Sequence, residues 1–420
     1  MGELIPNTTN IIAIDLKSFF ASCECVERGL DPFTTPLVVC DPNRNGAITL
    51  AVTPYLKKFG VPSRGRAYDL PKNIKIIKAP PRMSLYIQKS KEVLSVYLEF
   101  VSKEDMHVYS IDEVFLDVTN YLKMYKMDAE SLALTIMKRI KDKTGLTTTA
   151  GVGPNLLLAK VAMDIEAKHV PNNLAVWTKD NFKNKLWNIT PLSKMWGIGS
   201  RMEKNLNKLG LYKVGDIAHF DKNKLKDKFG IIGEELWYHT NGIDLSKISD
   251  FNNQVKDKSI SHSQILFKDY NAESVQIIIR EMIEVLVKRL RSGNKQTSGI
   301  GLGIGYSKEF GGGFYHMQKL DTGTTNEKII YEVCQNLFDK YYENLPIRKV
   351  SVTLGRLTED TGIQLNLFET FEEVKLEKQG NKAIDEIKKK YGNNSILKAS
   401  SLLEDSTIKM RNGKIGGHNA

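Results

Sequence analysis

The first 170 residues alternate apolar runs of strand type with amphipathic runs of helix type. Short runs rich in β-branched and aromatic residues predict strands, and apolar positions three or four residues apart predict helices. The two β-type pieces within 106–118 are adjacent, so we expect a hairpin there and a mixed sheet of the α+β class rather than a doubly wound one. The predicted strands cover 10–16, 36–41, 46–52, 74–80, 106–118 and 147–153, and the predicted helices cover 18–29, 82–101, 128–143 and 154–168.

From about residue 172 the pattern becomes helical and basic. A Gly197-Ile-Gly199 turn lies between short helical runs, and Ser200 with Glu203 forms a predicted capping box for the following helix. Such a turn is typical of a helix-hairpin-helix, which we place at about 192–220. Its glycines let backbone N–H groups approach a phosphate. A plain helix connection that happens to contain glycine is the alternative.

Residues 258–357 have the clearest pattern of the chain. It predicts a strand, a long amphipathic helix, two strands, a helix that opens on a capping box of Thr324 and Glu327, and a last strand. The order β-α-β-β-α-β is ferredoxin-like, a fold that by itself implies no function. The predicted bounds are 259–267, 272–291, 297–306, 313–318, 324–342 and 349–357.

Size and charge indicate several domains and a polyanionic partner. A chain of 420 residues is too long for one hydrophobic core, so three or four domains are expected. The 60 Lys and Arg against 49 Asp and Glu give a formal charge of +11. Residues 179–230 hold twelve Lys or Arg and only five acidic residues. This excess is either a solvated helix face or a phosphate-binding surface, and its concentration favours the second.

The cysteines and the hydropathy point to an intracellular protein. Cys23, Cys25, Cys40 and Cys334 are too scattered for a disulfide framework, and a lone Cys-x-Cys lacks the second pair of a zinc site. We therefore expect reduced thiols. No apolar stretch approaches the length of a membrane span, and no basic segment precedes the short apolar run near the N-terminus.

Three acidic residues stand at the ends of strand-type runs. Asp112 and Glu113 follow Ser110 at the junction of two such runs, and Asp15 ends the run 11–14. Neighbouring side chains in a strand face opposite ways, so Asp112 and Glu113 can serve one site only if the chain turns there. Carboxylates suit Mg²⁺, and two such ions can clamp both oxygens of a phosphoryl transfer. Carboxylates that only keep strand ends soluble are the alternative.

The segment Asp15-Leu-Lys-Ser-Phe-Phe20, together with the distant Ser110-Ile-Asp-Glu113, resembles the Y-family of DNA polymerases, the translesion enzymes. The chain is most similar to the branch of the DNA polymerase V catalytic subunit and its Gram-positive relatives (the UmuC/ImpB/MucB/SamB branch). The resemblance implies a right-hand polymerase with a mixed-sheet palm, small fingers, a helical thumb and a ferredoxin-like little finger. It assigns the palm to 1–16 and 79–171, the fingers to 17–78, the thumb to 172–245, the little finger to 257–358, and a C-terminal tail to 359–420.

The resemblance also implies a catalytic centre. Asp15, Asp112 and Glu113 would be the catalytic residues and would hold two Mg²⁺ ions, with the Leu16 carbonyl as a backbone ligand. The resemblance implies dNTP-binding roles for Phe19, Phe20, Thr53, Lys57 and Lys160.

Two of these assignments rest on particular motifs. Phe20 falls at the steric-gate position, where a bulky ring excludes a ribose 2′-hydroxyl, whereas Phe19 is the better candidate for a core residue. Lys160 ends a segment similar to the family's Gly-x-x-x-Asn-x-x-x-Ala-Lys, which implies contact with the triphosphate.

The fingers depart from the common family pattern. Lys57 stands at the cationic position of a segment that is Asn-Tyr-x-x-Arg in many relatives, and Pro54 stands where many have a phosphate-binding Tyr. That contact is therefore lost or supplied by Thr53 or Tyr55. Lysine for arginine also exchanges a planar fork for a point charge.

Two further sets of contacts follow from the resemblance. Thumb contacts with DNA are implied for Gly197, Gly199, Arg201 and Lys204. Beyond the last strand, Gln364-Leu-Asn-Leu-Phe368 is similar to the peptide that docks bacterial polymerases onto the sliding clamp (β subunit). Its anchors would be Gln364, Leu365, Leu367 and Phe368, and docking within the chain is the alternative.

The expected function is template-directed, low-fidelity DNA synthesis past lesions, in DNA repair and the SOS response, in the bacterial cytoplasm near the nucleoid. The expected partners are primer–template DNA, dNTPs and the clamp, and the need for an activating accessory protein stays open. One alternative is a non-catalytic relative that binds clamp and DNA, although such proteins lose the palm acids. Another is a different two-metal palm enzyme such as a nucleotide cyclase, which would have no use for the thumb, little finger and clamp peptide.

Overall fold

The computed structural model of the chain describes residues 9–44, 46–252, 259–360 and 371–419. The chain forms two compact units. The first is Met1–Gln254 with His418–Ala420, and the second is Val255–Gly417. Each unit has a hydrophobic core of its own.

The elements of the first unit follow the predicted alternation closely up to residue 170. Its strands are β1 (Ile11–Leu16), β2 (Leu37–Val39), β3 (Ala51–Val52), β4 (Ile77–Ala79), β5 (Met106–Val108), β6 (Glu113–Asp117), β7 (Thr148–Gly153) and β8 (Leu174–Val176). Its helices are α1 (Phe19–Glu27), α2 (Pro54–Lys58), α3 (Met83–Tyr97), α4 (Leu122–Tyr125), α5 (Ala129–Thr144), α6 (Leu156–Ile165), α7 (Phe182–Leu186), α8 (Ser200–Asn207), α9 (Val214–Ala218), α10 (Lys222–Phe229) and α11 (Ile231–Thr240).

A five-stranded sheet in the order β5-β6-β1-β7-β8 forms the centre of the first unit. Strand β1 pairs antiparallel with both β6 and β7, whereas β7 and β8 run parallel. Strands β5 and β6 form the predicted hairpin, so the mixed sheet and the α+β class are confirmed. Strand β8 was not predicted, because three residues are too few to show a period of two.

The alternating residues of β1 fill two different cores. Ile12 and Ile14 pack with residues of α1, α3 and α5 on one face of the sheet. Ile11 and Ala13 pack against α6 on the other face. The central strand is therefore buried on both sides, and its C-terminal end can present a side chain only at the edge of these layers.

Helix α6 lies unusually close to strand β7. A Cβ atom at Gly151 would lie 2.1 Å from the Ala159 carbonyl oxygen, and one at Gly153 would lie 2.4 Å from the Ala159 nitrogen. Only glycine permits this approach of two backbones. The helix is also fixed at its start, where Asn155 Oδ1 accepts a hydrogen bond from the Leu158 N–H at 2.8 Å.

A smaller sheet in the order β3-β2-β4 lies between Leu37 and Ala79, within or next to the segment 17–78 that the resemblance assigns to the fingers. Strand β2 pairs parallel with β4 and antiparallel with β3. The strand predicted at 46–52 is reduced to Ala51–Val52 and an isolated bridge between Ile48 and Arg66.

Helices α7 to α11 share a core with α6 and with Trp177. The Gly197-Ile-Gly199 turn precedes α8, and Gly197 has a φ of +90°, a conformation that favours glycine. The predicted capping box at Ser200 is wrong: the N-cap is Gly199, and the Glu203 carboxylate instead accepts a hydrogen bond from the Ser193 N–H at 3.2 Å.

The second unit contains a four-stranded antiparallel sheet in the order β11-β10-β12-β9. Its chain order, β-α-β-β-α-β, is the predicted ferredoxin-like arrangement. The elements are β9 (Ile260–Tyr270), α12 (Ala272–Ser292), β10 (Lys295–Tyr306), β11 (Gly313–Thr324), α13 (Glu327–Tyr341) and β12 (Ile347–Glu359), followed by α14 (Phe371–Tyr391), α15 (Ile408–Arg411) and β13 (Lys414–Ile415). The last strand of the chain, β14 (His418–Asn419), is counted with the first unit.

The cap of α13 also differs from the expectation. Asn326, not Thr324, is the N-cap, and its side chain accepts hydrogen bonds from the N–H groups of Lys328 and Ile329. An asparagine one residue before the helix satisfies two end N–H groups at once, which Thr324 is too far away to do.

The segment beyond α14 packs into the second unit. Buried Glu281 of α12 accepts hydrogen bonds from Ser406 and from the N–H and hydroxyl of Thr407. Arg291 pairs with Asp385 of α14 at 2.7 Å. The tail is thus joined to the sheet domain by buried polar contacts. The candidate clamp peptide, Gln364 to Phe368, lies outside the described residues.

Two further expectations concern the cysteines and the membrane. All four cysteines are free and buried. Across the described ranges, no helix combines the length and the apolar character needed to cross a bilayer.

Candidate active site

The three predicted acids lie at one end of the five-stranded sheet. Asp15 on β1 is the register partner of Glu113 on β6. The chain bends at Ser110–Asp112, just before β6, and the Leu16 N–H donates to the Asp112 carbonyl at 2.9 Å. The bend therefore brings Asp112 to the sheet end that already carries Asp15 and Glu113.

Helix α3 holds the bend in place. The Ser90 hydroxyl donates to the Ile111 carbonyl at 2.6 Å, and within the bend the Ser110 hydroxyl donates to Asp112 Oδ1 at 2.7 Å. These contacts satisfy polar groups of a turn that is half-buried, which keeps the acid-bearing loop in one conformation.

Two lysines and a fourth acid form a chain of ion pairs that connects Glu113 to Asp15. Lys160 Nζ lies 2.7 Å from Glu113 Oε1 and 2.9 Å from Asp164 Oδ2. Lys168 Nζ lies 2.7 Å from Asp164 Oδ1 and 3.4 Å from Asp15 Oδ2. We call this set, Asp15–Lys168–Asp164–Lys160–Glu113, the charge arc. It links the two strand-end acids through α6 and the turn that follows it.

The charges of the arc are incompletely balanced. Burial raises the pKa of Asp15. The Lys168 ammonium opposes this shift, and the nearby Asp112 carboxylate adds to it. Burial likewise raises the pKa of Glu113, against the effect of Lys160. For Lys160, burial lowers the pKa, but the neighbouring carboxylates of Asp164 and Glu113 more than offset it, so the ammonium form is favoured. An excess of carboxylate is thus held in a poorly solvated place, where a further cation would be stabilised.

The donor set is chemically suited to a divalent cation. Carboxylate oxygens from Asp15, Asp112 and Glu113 are hard ligands of the kind that Mg²⁺ requires. Within the described residues no three Asp, Glu, His or Cys side chains converge as a ready-made metal cluster. In this structure Glu113 and Asp15 are instead paired with Lys160 and Lys168.

The aromatic pair that begins α1 divides into a core residue and an accessible one. Phe19 is buried in the main core, whereas Phe20 is half-buried and stacks on Tyr86 of α3 with ring centroids 4.5 Å apart and planes 15° apart. The preceding residue, Ser18, has a φ of +52°, a strained conformation for a non-glycine residue. The turn separates Phe20, the second residue of α1, from Asp15 on β1 by five positions of the chain.

Sequence reasoning missed the support behind Phe20. The Tyr86 hydroxyl donates to Glu24 Oε1 at 2.7 Å, and Arg82 donates to both oxygens of Glu24 at 2.9 and 2.7 Å. Glu24 is fully buried, and Arg28 also contacts it. We call Glu24, Arg28, Arg82 and Tyr86 the Glu24 network.

The predicted fingers residues are not equally placed. Lys57 lies near enough to Asp15, Lys17 and Lys168 for their charges to shift its pKa. Partial burial and the two lysines lower that pKa, whereas Asp15 raises it. Thr53 is fully buried, and its hydroxyl donates to the Thr35 carbonyl at 2.8 Å. The structure therefore brings Lys57, but not the Thr53 hydroxyl, toward the acids.

The remaining predicted residues belong to helix α8 and to the turn before it. Gly197 and Gly199 flank the turn before α8, and Arg201 and Lys204 are exposed on that helix.

Asp164 and Lys168 were overlooked, although a signal for them exists. Lys160, Asp164 and Lys168 are spaced by four residues, so an acid stands between two lysines on one helical face. That spacing indicates salt bridges, but it does not reveal that the face points at Asp15 and Glu113.

Comparisons with known proteins cover nearly the whole chain. Residues 14–164 match the impB/mucB/samB family, residues 179–211 match the IMS family HHH motif, and residues 257–367 match the impB/mucB/samB family C-terminal domain. This match confirms that the chain contains a helix-hairpin-helix motif, and it covers residues 179–211, whereas the prediction placed the motif at about 192–220.

Named relatives and a solved structure agree with the family match. The chain is 41% identical to "Putative UV-damage repair protein UvrX" of Bacillus subtilis (strain 168) over 415 residues, 97% of each chain. It is 32% identical to "DNA polymerase IV 2" of the same organism, covering 97% of this chain and 98% of the relative. It is 31% identical to "DNA polymerase IV" of Clostridium acetobutylicum, covering 94% and 98%.

Among solved structures, the "Y-family DNA polymerase chimera Dbh-Dpo4(243-245)-Dbh" aligns with a TM-score of 0.68 at 23% identity, over 83% of this chain and 99% of that one. The fold is therefore that of a Y-family polymerase. With matches to the family along both units, and with relatives above 30% identity over almost their full length, the chain belongs to the impB/mucB/samB family of Y-family DNA polymerases.

Proposed function

We propose that this protein is a template-directed, low-fidelity DNA polymerase that synthesises past damaged bases, by two-metal transfer of a nucleotide from a dNTP to a primer 3′-hydroxyl. The observation that supports the proposal best is the sheet end itself. Asp15 and Glu113 are register partners there, the bend brings Asp112 to the same end, and Lys160 Nζ lies 2.7 Å from Glu113.

The reaction joins the primer 3′-oxygen to the α-phosphorus of the dNTP. The bond between the α-phosphorus and the bridging oxygen breaks, pyrophosphate leaves, and the hydroxyl proton passes to solvent. Such a transfer depends mainly on positioning and on neutralising charge rather than on covalent help from the protein. Asp15, Asp112 and Glu113, with the Leu16 carbonyl, would hold two Mg²⁺ ions, and these would supply positive charge at the phosphate oxygens and at the attacking hydroxyl.

The chain's own cations would orient the triphosphate. Lys160 reaches the acids from a helix whose distance to the sheet is fixed by Gly151 and Gly153. Lys57 lies near enough to Asp15 for that carboxylate to raise its pKa. The two lysines would bind the phosphate tail while the sugar lies toward Phe20.

Phe20 would act as the steric gate. Its ring is held flat against Tyr86, and Tyr86 is fixed by Glu24. A ring that cannot swing aside discriminates better against an added 2′-hydroxyl than a mobile one, because the clash cannot be relieved by rotation.

DNA binding would use the basic helical segment and the second unit. We propose a palm at 1–16 and 79–171, fingers at 17–78, a thumb at 172–245, a little finger at 257–358 and a tail at 359–420. In the thumb, Gly197, Gly199, Arg201 and Lys204 would contact phosphates of the duplex.

The finer biological setting is also a proposal. Gln364, Leu365, Leu367 and Phe368 would dock on the bacterial sliding clamp, and the motif alone supports this, since the peptide lies outside the described residues. Action in the SOS response, in the cytoplasm at the nucleoid, rests on the family and on the UV-damage repair name of a relative.

Primer extension by the purified full chain tests the proposal. Mg²⁺ and dNTPs are supplied with an undamaged template and with one that carries an abasic site, beside Asp112→Asn as a matched control. We expect the wild type to extend both primers and Asp112→Asn to extend neither while it still binds duplex. Equal extension by both proteins would remove the metal-site assignment. Inactivity of the wild type with intact duplex binding would favour a non-catalytic accessory protein.

A further inference from the structure

The chain beyond α14 runs along β9, an edge strand of the four-stranded sheet, and the proposed function gives this part of the tail no role. The Tyr270 hydroxyl donates to the Asp405 carbonyl at 2.9 Å, and Arg411 donates to His262 Nε2 at 2.9 Å. As the tail advances along the sequence, its partners move back along β9, so the two segments run in opposite directions. We call residues 405–415 the edge segment.

Buried hydrogen bonds fix the start of the edge segment. Glu281 of α12 is buried and accepts from the Ser406 hydroxyl at 2.5 Å and from the Thr407 N–H at 3.2 Å. The Thr407 hydroxyl donates to Glu281 at 3.1 Å and accepts from the buried Gln264 amide at 3.0 Å. These polar groups satisfy one another, so the residues that follow leave from a fixed point of the fold.

From that point the edge segment reaches the rim of the sheet face opposite to α12 and α13, which we call the open face. Lys414 Nζ lies 5.6 Å from the centroid of the Phe267 ring. Phe267 is half-exposed and follows buried Leu266, which packs in the core formed with α12 and α13. Neighbouring side chains of a strand point to opposite faces, so Phe267 and the Lys414 ammonium beside it belong to the open face.

The open face already carries groups that bind phosphate. Exposed Ser263 and Ile265 of β9 are the register partners of Ser351 and Lys349 of β12, so these four side chains lie on one face. Hydroxyl and ammonium groups are typical contacts of proteins with the phosphates of duplex DNA. Lys414 therefore extends a row of such groups beyond the edge of the sheet.

The lysines of the edge segment have no partner of opposite charge that would explain them. Residues 406–417 contain three Lys or Arg and no acidic residue. Within the described ranges, neither Lys409, which is exposed, nor Lys414 forms an ion pair with a carboxylate, and the Asp405 carboxylate is already paired with Lys268 at 2.8 Å. Accessible positive charge that the protein leaves unbalanced attracts a polyanion.

We propose that the edge segment is an additional DNA-binding element, in which Lys409 and Lys414 bind phosphates of a primer–template duplex that lies on the open face. This inference rests on the proposed function and adds to it a binding site in the tail, outside the thumb and the sheet. The site contributes to the affinity for DNA rather than to nucleotide transfer, since none of its residues belongs to the proposed catalytic set.

Three double variants of the full chain test this inference. Lys409→Ala/Lys414→Ala removes both charges, and Lys409→Arg/Lys414→Arg keeps them. Lys382→Ala/Lys389→Ala is the matched control, because it removes two exposed lysines of α14, the helix that is paired with α12 on the other side of the sheet. Thermal unfolding checks that each variant is folded. Fluorescence anisotropy gives the Kd for a primer–template at several salt concentrations, and steady-state extension at saturating DNA gives kcat and KM for dNTP.

We expect a selective loss of DNA affinity in Lys409→Ala/Lys414→Ala. Its Kd should rise about tenfold, and the slope of log Kd against log salt concentration should fall by about two, because two phosphate contacts are lost. Its kcat and KM for dNTP at saturating DNA should stay at the wild-type values. Lys409→Arg/Lys414→Arg and the α14 control should bind DNA as the wild type does.

Three results would overturn the inference while leaving the proposed function intact. The first is an unchanged Kd and salt slope in Lys409→Ala/Lys414→Ala. The second is an equal loss in the α14 control, which would show only an effect of net charge. The third is a loss that appears with a single-stranded oligonucleotide and not with the duplex, which would assign the lysines to the template overhang. A wild type that binds duplex without extending it would instead overturn the polymerase activity, and the Kd values would still decide on the edge segment.

Discussion

Two sites in the first unit both pair carboxylates with basic side chains, yet the pKa of the carboxylates is shifted in opposite directions. In the Glu24 network, burial pushes the pKa of Glu24 upward, but hydrogen bonds from Arg82, Arg28 and Tyr86 more than offset it, so its pKa lies below the ordinary value. In the charge arc, burial prevails, and the pKa of Asp15 and of Glu113 is raised.

The difference separates a structural acid from an available one. Glu24 is fully buried and has donors on both oxygens, so it has no capacity left for a ligand. Asp15 and Glu113 share two lysines with Asp164 and stay under-compensated. A cation is stabilised most beside a buried acid that has too few hydrogen-bond donors. A raised pKa at such an acid therefore indicates a functional site.

Glu113→Gln should have the largest effect on DNA synthesis. The amide keeps the shape but removes a charge from the acid end, so extension should fall about 1000-fold, as expected for loss of a group that stabilises developing charge. The unfolding free energy should stay the same or rise, because an under-compensated charge is removed. Single-turnover extension and chemical denaturation measure the two effects. Asp117→Asn, at the other end of β6, serves as the control and should retain extension; a similar loss there would point to a general defect of the strand.

Glu24→Gln should instead lower the stability of the fold. It removes the buried charge that accepts hydrogen bonds from Tyr86 and from the partly exposed Arg82 and Arg28, so the unfolding free energy should fall by about 2 kcal/mol. Urea denaturation measures the loss. Glu27→Gln, on the same helix and paired with Lys89 at 3.1 Å, should change it by less than about 1 kcal/mol. Equal effects of the two substitutions would refute the distinction drawn for Glu24.

Phe20→Ala tests whether the Glu24 network supports a functional ring. The substitution removes the ring that stacks on Tyr86. We expect discrimination against ribonucleotides to fall by at least about tenfold, measured as the ratio of kcat/KM values for dNTP and rNTP. Phe19→Leu is the control, since Phe19 is a core residue and should affect stability alone. Unchanged sugar selection in Phe20→Ala would leave Phe20 as a packing residue.

The pH dependence of stability should differ in sign between the two sites. Glu113 has a raised pKa in the folded state, so its site loses stability as the pH rises through the ordinary value of 4.5 toward the folded one. Glu24 has a lowered pKa, so its contribution is complete above 4.5 and is lost as the pH falls through the folded value. Denaturation between pH 3 and 7 should show that Glu113→Gln removes the first slope and Glu24→Gln the second. The same slope in both variants would show that the acids are not distinct.

The sequence predicted the acids and Lys160 because short motifs carry them. Asp112 and Glu113 stand in one tetrapeptide, and Lys160 ends a ten-residue segment. The β-α-β-β-α-β order of the second unit was predictable too, since its strands and helices are long enough to show their periods.

The missed features depend on contacts between distant residues. Glu24 contacts Arg82 and Tyr86, which are 58 and 62 positions away in the chain. No local sequence pattern around these residues predicts the contacts. The N-caps of α8 and α13 were misassigned because a Ser-x-x-Glu or Thr-x-x-Glu pattern does not fix where the chain leaves the helix. Thr53 was placed by alignment alone, and its hydroxyl is used inside the small sheet.

The close approach of α6 to β7 bears on how this enzyme can be engineered. Alanine scanning removes atoms, and at Gly151 and Gly153 the informative change is to add one. A single methyl group at Gly151 would meet the Ala159 carbonyl oxygen at 2.1 Å and force the helix outward, carrying Lys160, Asp164 and Lys168 with it. Libraries that vary only side chains near the acids would therefore leave untouched the two positions that set the spacing between all three of these residues and the sheet.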